Sequence, residues 1–544
     1  MNTVSKFRLP VYPVISENGE HWKQLYRRMH TDTRLYNWGS NKSGLLGDDI
    51  QSIVPWPTEI TDRPFRHAVA DIVCGGYFTA VLTTAGEVWI KSGSAWCQSE
   101  VSWNRSKSNP SRQARTIKQI SATRDGIVCL AESGAMWYCH WQNREAELVD
   151  TDIRVVKGGW SGFSAMRTPQ RARDEDSGVL VWSVTNGTDI ELPPREIDFT
   201  RPSEVVMERS WGRAPRQPDY DEVTNWAMLR DYIVYVTKPG RVWAWRIGSV
   251  DVPQELMDAT DCAFADVADV YGWLEKFALL LRNGEVLIGT GKMLEDLFGY
   301  YIQNLEFEKI PALQNSGVIK IAFGDWHYHA LHKDGTITSY GHEPEGCGAF
   351  GFGDANFSVI ERGFSQDIVI RPECLTTGRR VHFEPGKKAW QLDLAMAYKD
   401  EETDEVFWPA DDTRYEVSEW IEERLRAWAT PGNEDMLCPR YEVRQEESGN
   451  GARQADIEHD ETPAYFVTSV AACGWHSAAL VLVDTAKAAE VARQYAEVQG
   501  NGTWAAPPRL QLLNGTIMPG EGPVSTWSSA SGCPKPQAVE IVRF

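Results

Sequence analysis

The chain has 544 residues, 55 Lys and Arg against 76 Asp and Glu, and a formal net charge of -21. That balance argues against a protein that grips a nucleic-acid backbone through excess positive charge. No apolar run approaches the ~18 residues that cross a bilayer, and the stretch from Met1 to Glu20 lacks the apolar core of a secretory leader, so a cytoplasmic or nuclear protein is expected.

The ten cysteines form no Cys-x-x-Cys pair. Cys74, Cys129 and Cys473 fall at apolar positions and read as reduced, buried thiols. Zinc needs clustered ligands, and the sequence clusters none. Basic stretches at 105–115 and 167–173 read as solvated loops.

In chain order, Pro10 and Pro13 break the first segment. The next residues, 21–28, suit a short helix with Trp22, Leu25 and Tyr26 on one face. Residues 34–39 (Arg-Leu-Tyr-Asn-Trp-Gly) read as a final strand with no first strand before it. Seven copies of one pattern follow: a turn-rich start, a short apolar strand, a turn and, in most copies, a strand carrying an aromatic. They begin near Ile72, Ile117, Val155, Trp226, Val267, Val318 and Val470. The cleanest copy runs from Val318 through the turn Lys333-Asp334-Gly335 to Gly341.

Each copy is a hairpin-based sheet that cannot bury both faces alone, and stacking copies around an axis solves this. Asn-Gly and Asp-Gly suit the tight turns, and Val/Ile-x-Trp/Tyr alternation suits a half-buried strand. The seventh copy lacks its partner strand, because the chain runs into Asp484-Thr485 and an Ala-rich helical stretch at 486–498. The N-terminal strand at 34–39 is the natural replacement. The expected architecture is an all-β, seven-bladed propeller closed by pairing the two ends of the chain, which protects both sheet edges.

One insertion, 354–464, separates copies six and seven. Within it, 417–428 carries a helical apolar stripe stopped by Thr430-Pro431-Gly432. The acidic, apolar-poor stretch 444–462 reads as disordered. Residues 509–518 read as an extra hairpin. The expected division is 1–33, 34–353 for six blades and the closing strand, 354–464, 465–484 for the last blade, and 485–544 for helix, hairpin and tail.

Trp38-Gly39-Ser40-Asn41 and Cys473-Gly474-Trp475-His476-Ser477-Ala478-Ala479-Leu480 resemble the two halves of a regulator-of-chromosome-condensation repeat. The run 335–353, Gly378-Arg379-Arg380-Val381, Phe383-Glu384-Pro385, Val417-Ser418-Glu419-Trp420 and Met518-Pro519-Gly520-Glu521 are similar to the fungal SCF-associated factors. That resemblance implies an F-box ahead of the propeller. The F-box would dock on the Skp adaptor of a cullin–RING ubiquitin ligase, and the propeller would present a target protein for degradation. Residues 1–33 would hold only the closing helix of such a box. The wider repeat family also implies an alternative, nucleotide exchange on a Ran-type GTPase, and a propeller scaffold uncoupled from the ligase is a third reading.

Catalytic motifs are absent on this reading. Gly346-Cys347-Gly348-Ala349-Phe350-Gly351 has Gly-x-Gly-x-x-Gly spacing, but more loop follows where a dinucleotide site needs a helix. Gly289-Thr290-Gly291-Lys292-Met293 lacks phosphate-loop spacing. His327, His329 and His332 suggest metal by type, yet His327 aligns with Phe78 and His476, so structural histidines are expected. Trp89, Trp137, Trp182 and Trp243 are placed at one repeat position and assigned to packing. Trp96, Trp103 and Trp504, outside the repeat grid, are the expected partner-binding tryptophans, together with Trp22, Leu25 and Tyr26. No cofactor, metal or catalytic residue is assigned.

Overall fold

Apolar–polar alternation, punctuated by glycine turns, folds into seven antiparallel meanders arranged in a ring. The computed structural model describes, with short interruptions, residues 33–99, 116–167, 179–197, 223–256, 264–351 and 463–500. It also describes separate stretches between 369 and 407 and between 510 and 543.

The first blade is Val69–Cys74, Thr79–Thr83, Val88–Ser92 and Ala95–Gln98. The second is Ile117–Ala122, Gly126–Ala131, Met136–His140 and Ala146–Asp150. The third holds Ile153–Gly158, Gly162–Arg167 and Val179–Thr185, with Arg195–Ile197 at its edge. The fourth is Val223–Met228, Tyr232–Thr237, Val242–Arg246 and Gln254–Glu255. The fifth has Val267–Trp273, Lys276–Leu281 and Val286–Thr290. The sixth is Val318–Phe323, His327–His332, Ile337–His342 and Cys374–Arg380. The seventh joins Tyr465–Cys473 and His476–Val483 to Thr33–Ser40 and Ile53–Glu59.

The first strand of each blade lines the axis and packs against the first strands beside it. All seven share one irregularity. After Val69, Ile117, Ile153, Val223, Val267, Val318 and Val467, the register against the second strand slips. Such a bulge bends the strand and re-aims the next side chain. The valine or isoleucine before it and the apolar residue after it (Ile72, Ile120, Val156, Trp226, Val270, Ile321, Val470) turn into the packing between blades. All of the latter are buried.

The turn glycine after the second strand is a docking point. Gly86, Gly134, Gly240, Gly284 and Gly335 all have φ between 79° and 92°, a region that disfavours side chains. Each carbonyl also accepts an N–H from the approach to the next blade: Ile117 at 3.3 Å, Ile153 at 2.9 Å, Val267 at 3.2 Å, Asn315 at 2.9 Å and Val467 at 2.8 Å. A Cβ on Gly335 would lie 2.4 Å from the Phe466 ring.

The ring closes as expected. Thr33–Ser40 pairs with His476–Val483 from Thr33↔Leu482 to Gly39↔His476. The N-terminal segment supplies two strands rather than one, since Ile53–Glu59 pairs on the outside of Thr33–Ser40. Trp38 is fully buried in this seam, and its Nε1 donates to the Ala349 carbonyl at 2.9 Å. Asn37 ties the seam to the first blade by donating to Thr79 Oγ1 at 3.1 Å.

Three further features differ from the sequence reading. The fifth blade continues into a helix, Gly291–Tyr300, and then returns to pair Glu308 with Ile288. Thr290 caps that helix, its Oγ1 accepting from Met293 N at 3.4 Å. The fourth strand of the sixth blade, Cys374–Arg380, comes from inside the expected insertion. Farther along that insertion, Leu392–Lys399 pairs with the C-terminal strand Ala538–Arg543. The C-terminal helix is Thr485–Gly500, and Asp484 Oδ1 accepts from Ala486 N and Lys487 N, both at 3.2 Å. Leu510–Gln511 and Ile517–Met518 form the small hairpin. The helical stripe at 417–428, the acidic stretch 444–462 and most of the basic loops lie outside the described residues.

Trp38→Ala should destabilise the chain by about 3–5 kcal/mol, as for other large buried aromatics. Urea denaturation checks this. A loss below about 1 kcal/mol would mean that the seam does not depend on this ring.

Candidate partner-binding face

Short loops between first and second strands form one face of the ring. Aligned by register, their tips carry Trp326, Trp475 and Tyr77 on blades six, seven and one, then Asp125, Ser161, Asp231 and Glu275 on blades two to five. Trp326 is 52% exposed and Tyr77 39%, which places both rings within reach of another molecule. One repeat position therefore bears an aromatic arc and an acidic arc.

The residues just before these tips lock the loops together around the axis. Gly474 N donates to Asp325 Oδ1 at 3.1 Å, and Trp273 Nε1 donates to the same oxygen at 3.3 Å. Burial raises the Asp325 carboxyl above its ordinary value, and these two donors together with the Arg124 charge counter it. Trp273 meets Trp160 edge-on at 6.2 Å. Arg124 lies over the Trp160 ring at 4.7 Å and donates to the Tyr77 hydroxyl at 3.3 Å. Arg124 O accepts from Gly76 N at 2.7 Å. Arg230 bonds Asp231 at 2.9 Å and Glu275 at 2.7 Å. This network cross-braces the loops, and tips braced before binding lose less entropy on binding.

Below the loops, the side chains that follow the bulges form a polar ring on the axis. Tyr271 OH donates to Asp269 Oδ2 at 2.7 Å, and Asn225 Nδ2 donates to Asp269 Oδ1. Lys320 Nζ reaches Ser469 Oγ at 3.3 Å. Gln119 Nε2 donates to Val156 O at 2.8 Å. Burial pushes the Lys157 ammonium down and the Asp71 carboxyl up, and opposite charges across the axis offset both shifts. These bonds stitch neighbouring blades.

The three histidines of the sixth blade hold the fold together. His327 Nε2 and His329 Nε2 each lie 2.8 Å from Ser477 Oγ, whose hydroxyl can donate to one ring and accept from the other. His329 Nδ1 meets Ser339 Oγ at 2.8 Å, and His332 bonds Ser316 O and Thr338 Oγ1 at 2.9 and 2.8 Å. Burial, reinforced by the nearby His476, lowers His327 to about 3. Burial lowers His476 to about 4, against a backbone hydrogen bond at Phe78. It drives His329 well down, helped by the His327 charge. Among the described residues, no three His, Cys, Asp or Glu side chains gather as metal ligands would.

The described part of the glycine run, 347–351, is a cradle for Trp38. Gly351 has φ +80°, and a Cβ there would sit 3.0 Å from Trp38 Nε1.

Of the six residues expected to bind partners, Trp22, Leu25, Tyr26, Trp103 and Trp504 lie outside the described residues. Trp96 belongs to the outer strand of the first blade, opposite Lys91, where its half-buried ring meets Phe65 edge-on at 5.3 Å. Trp89, Trp137 and Trp243 share one register position, opposite Val81, Cys129 and Tyr235. Trp182 does not share it. It lies opposite Phe163, two residues farther on, where it aligns with Trp245 and Lys91. The insertion delaying that strand hid the offset. The tip aromatics Trp326, Trp475 and Tyr77 were missed as a set, although aligning the copies on their shared valine or isoleucine brings them into one column.

The regulator of chromosome condensation (RCC1) repeat matches residues 32–82. The chain is 22% identical over 392 residues to the F-box protein pof9 of Schizosaccharomyces pombe, covering 69% of this chain and 74% of that one. Among solved structures, Prp20p of Saccharomyces cerevisiae, described with its binding properties to Gsp1p and histones, is 14% identical with a TM-score of 0.48. The match covers 88% of this chain and 98% of Prp20p. Human WBSCR16 is 14% identical with a TM-score of 0.46, covering 82% and 98%.

Asp325→Leu should leave the Trp273 and Gly474 donors unpaired, at roughly 1–3 kcal/mol each, while Asp325→Asn keeps most of the stability. Thermal melts of both variants check this, and equal losses would contradict it. Stability should also fall with acid. The histidines are neutral when folded and titrate near ~6.5 when unfolded. Stability is therefore full above that pH and declines as pH drops toward their folded values. At pH 5, His327 and His476 should each cost roughly 2 kcal/mol. Melting from pH 7 to pH 5 should show the decline, and His476→Gln should flatten it; the same slope in that variant would rule out His476 as a source.

Proposed function

We propose that the chain is a non-catalytic substrate receptor. Its loop face grips a target protein, and an N-terminal segment engages the Skp adaptor of a cullin–RING ubiquitin ligase. The associated enzymes then transfer ubiquitin. The observation carrying this reading is the likeness to a protein named for its F-box, which extends over 392 residues and so reaches well into the propeller. The loop face supports it, because exposed aromatic side chains on a rigid frame are what protein-binding hot spots use. The chain itself supplies binding and positioning.

A second reading, nucleotide exchange on a Ran-type GTPase, draws on the repeat match at 32–82, which covers the closing strand and the start of the first blade. The two readings make different demands. Affinity purification of the full-length gene product from its native cells should recover a Skp-type adaptor and a cullin. Recovery of neither would remove ligase coupling and leave a scaffold. Faster release of labelled GDP from a Ran-type GTPase would instead favour exchange.

A further inference from the structure

The partner-binding reading can be taken to the chemistry of the partner. Aromatic tips stand on three consecutive blades, and three of the other four tips are carboxylates; no tip carries a cation. The two arginines one residue before the tips are already engaged. Arg230 is held by Asp231 and Glu275, and Arg124 lies over the Trp160 ring and donates to the Tyr77 hydroxyl. Asp125 directly follows the aromatic arc in the ring, and among the described residues it enters no ion pair. Lys42 sits 5.2 Å over the Trp475 ring, which disfavours a second cation there. Arg124, Tyr138 and His140 all sense the Asp125 charge, and in His140, beside Trp141, burial lowers the ring toward the neutral form against it.

We propose that this face binds a protein segment presenting one bulky apolar side chain beside a lysine or arginine. The apolar group packs on Trp326 and Trp475. The cation lies next to Asp125, beside the Tyr77 ring, whose face Arg124 already occupies at 5.9 Å. The chain's net charge of -21 steers a basic segment toward the face from a distance. A nucleic acid meets the same field as repulsion. The proposal rests on the reading of this face as the partner-binding one, but it does not depend on the ligase.

The test is selection from a displayed library of random dodecapeptides on the full-length chain, followed by fluorescence anisotropy of the enriched peptides. Enriched sequences should pair Trp, Phe or Leu with Lys or Arg. Their affinity should fall at least about tenfold with Trp326→Ala and with Asp125→Lys, less with Asp125→Asn, and further with added salt. Leu148→Ser, at a 48% exposed site on the outer strand of the second blade, should change nothing. Should Trp326→Ala lower the melting temperature, Tyr77→Ser serves in its place. No enrichment, enrichment of acidic peptides, or binding unchanged in both tip variants would overturn the proposal. Peptide selection without adaptor recovery would keep this inference and remove the ligase. Adaptor recovery without peptide selection would do the reverse.

Discussion

The whole structure depends on one strand pairing, that of Thr33–Ser40 with His476–Val483. A ring of sheets is stable only when closed, because an open ring leaves two blade faces and two edges unsatisfied. Here the closure joins residues more than four hundred positions apart, so the seam must be specified by side chains. Trp38 fills the space between the strand and the 347–351 loop. Asn37 reaches across to the first blade. Gly39, at φ +103°, lets the backbone pass where a Cβ would meet the Trp475 carbonyl at 2.5 Å. The buried histidines stand at the same seam, through the Ser477 hydroxyl opposite Trp38.

Closure fixes the ring, and the ring fixes the loop face. Each blade repeats the same bulge and the same short loop, so corresponding residues of the seven copies occupy equivalent places around the axis. Variation at one position then becomes a pattern on a surface. Trp326, Trp475, Tyr77 and Asp125 are far apart in the chain but adjacent around the ring. The rosette of Asp325, Trp273, Trp160 and Arg124 keeps the spacing constant, so the face is set by the fold rather than formed on contact.

Much of this architecture was legible in the sequence, because strand alternation and turn glycines are local signals. The turn at Lys333-Asp334-Gly335 and the Asp484 helix cap were readable for that reason. So was the closure, since 34–39 read as a strand lacking a predecessor. Other features have no local signature. The helix Gly291–Tyr300 starts inside a glycine-bearing stretch that continues a strand. Cys374–Arg380 reaches the sixth blade only after a long excursion, and its partner strand cannot be named from spacing. The candidate face was less legible than the fold. Composition drew attention to tryptophans outside the repeat, such as Trp96, which lies on the outer strand of the first blade with its half-buried ring against Phe65. The residues of the proposed face sit inside the repeat, one per copy, and the strand register aligns them.

The central claim is that this chain meets its partner through the loop face. Hydrogen–deuterium exchange on the full-length chain, with and without a co-purified target protein, tests it most directly. The account predicts protection concentrated at 75–78, 124–126, 324–328 and 473–477. Protection confined to the opposite face or to the outer strands, with these loops unchanged, would contradict it.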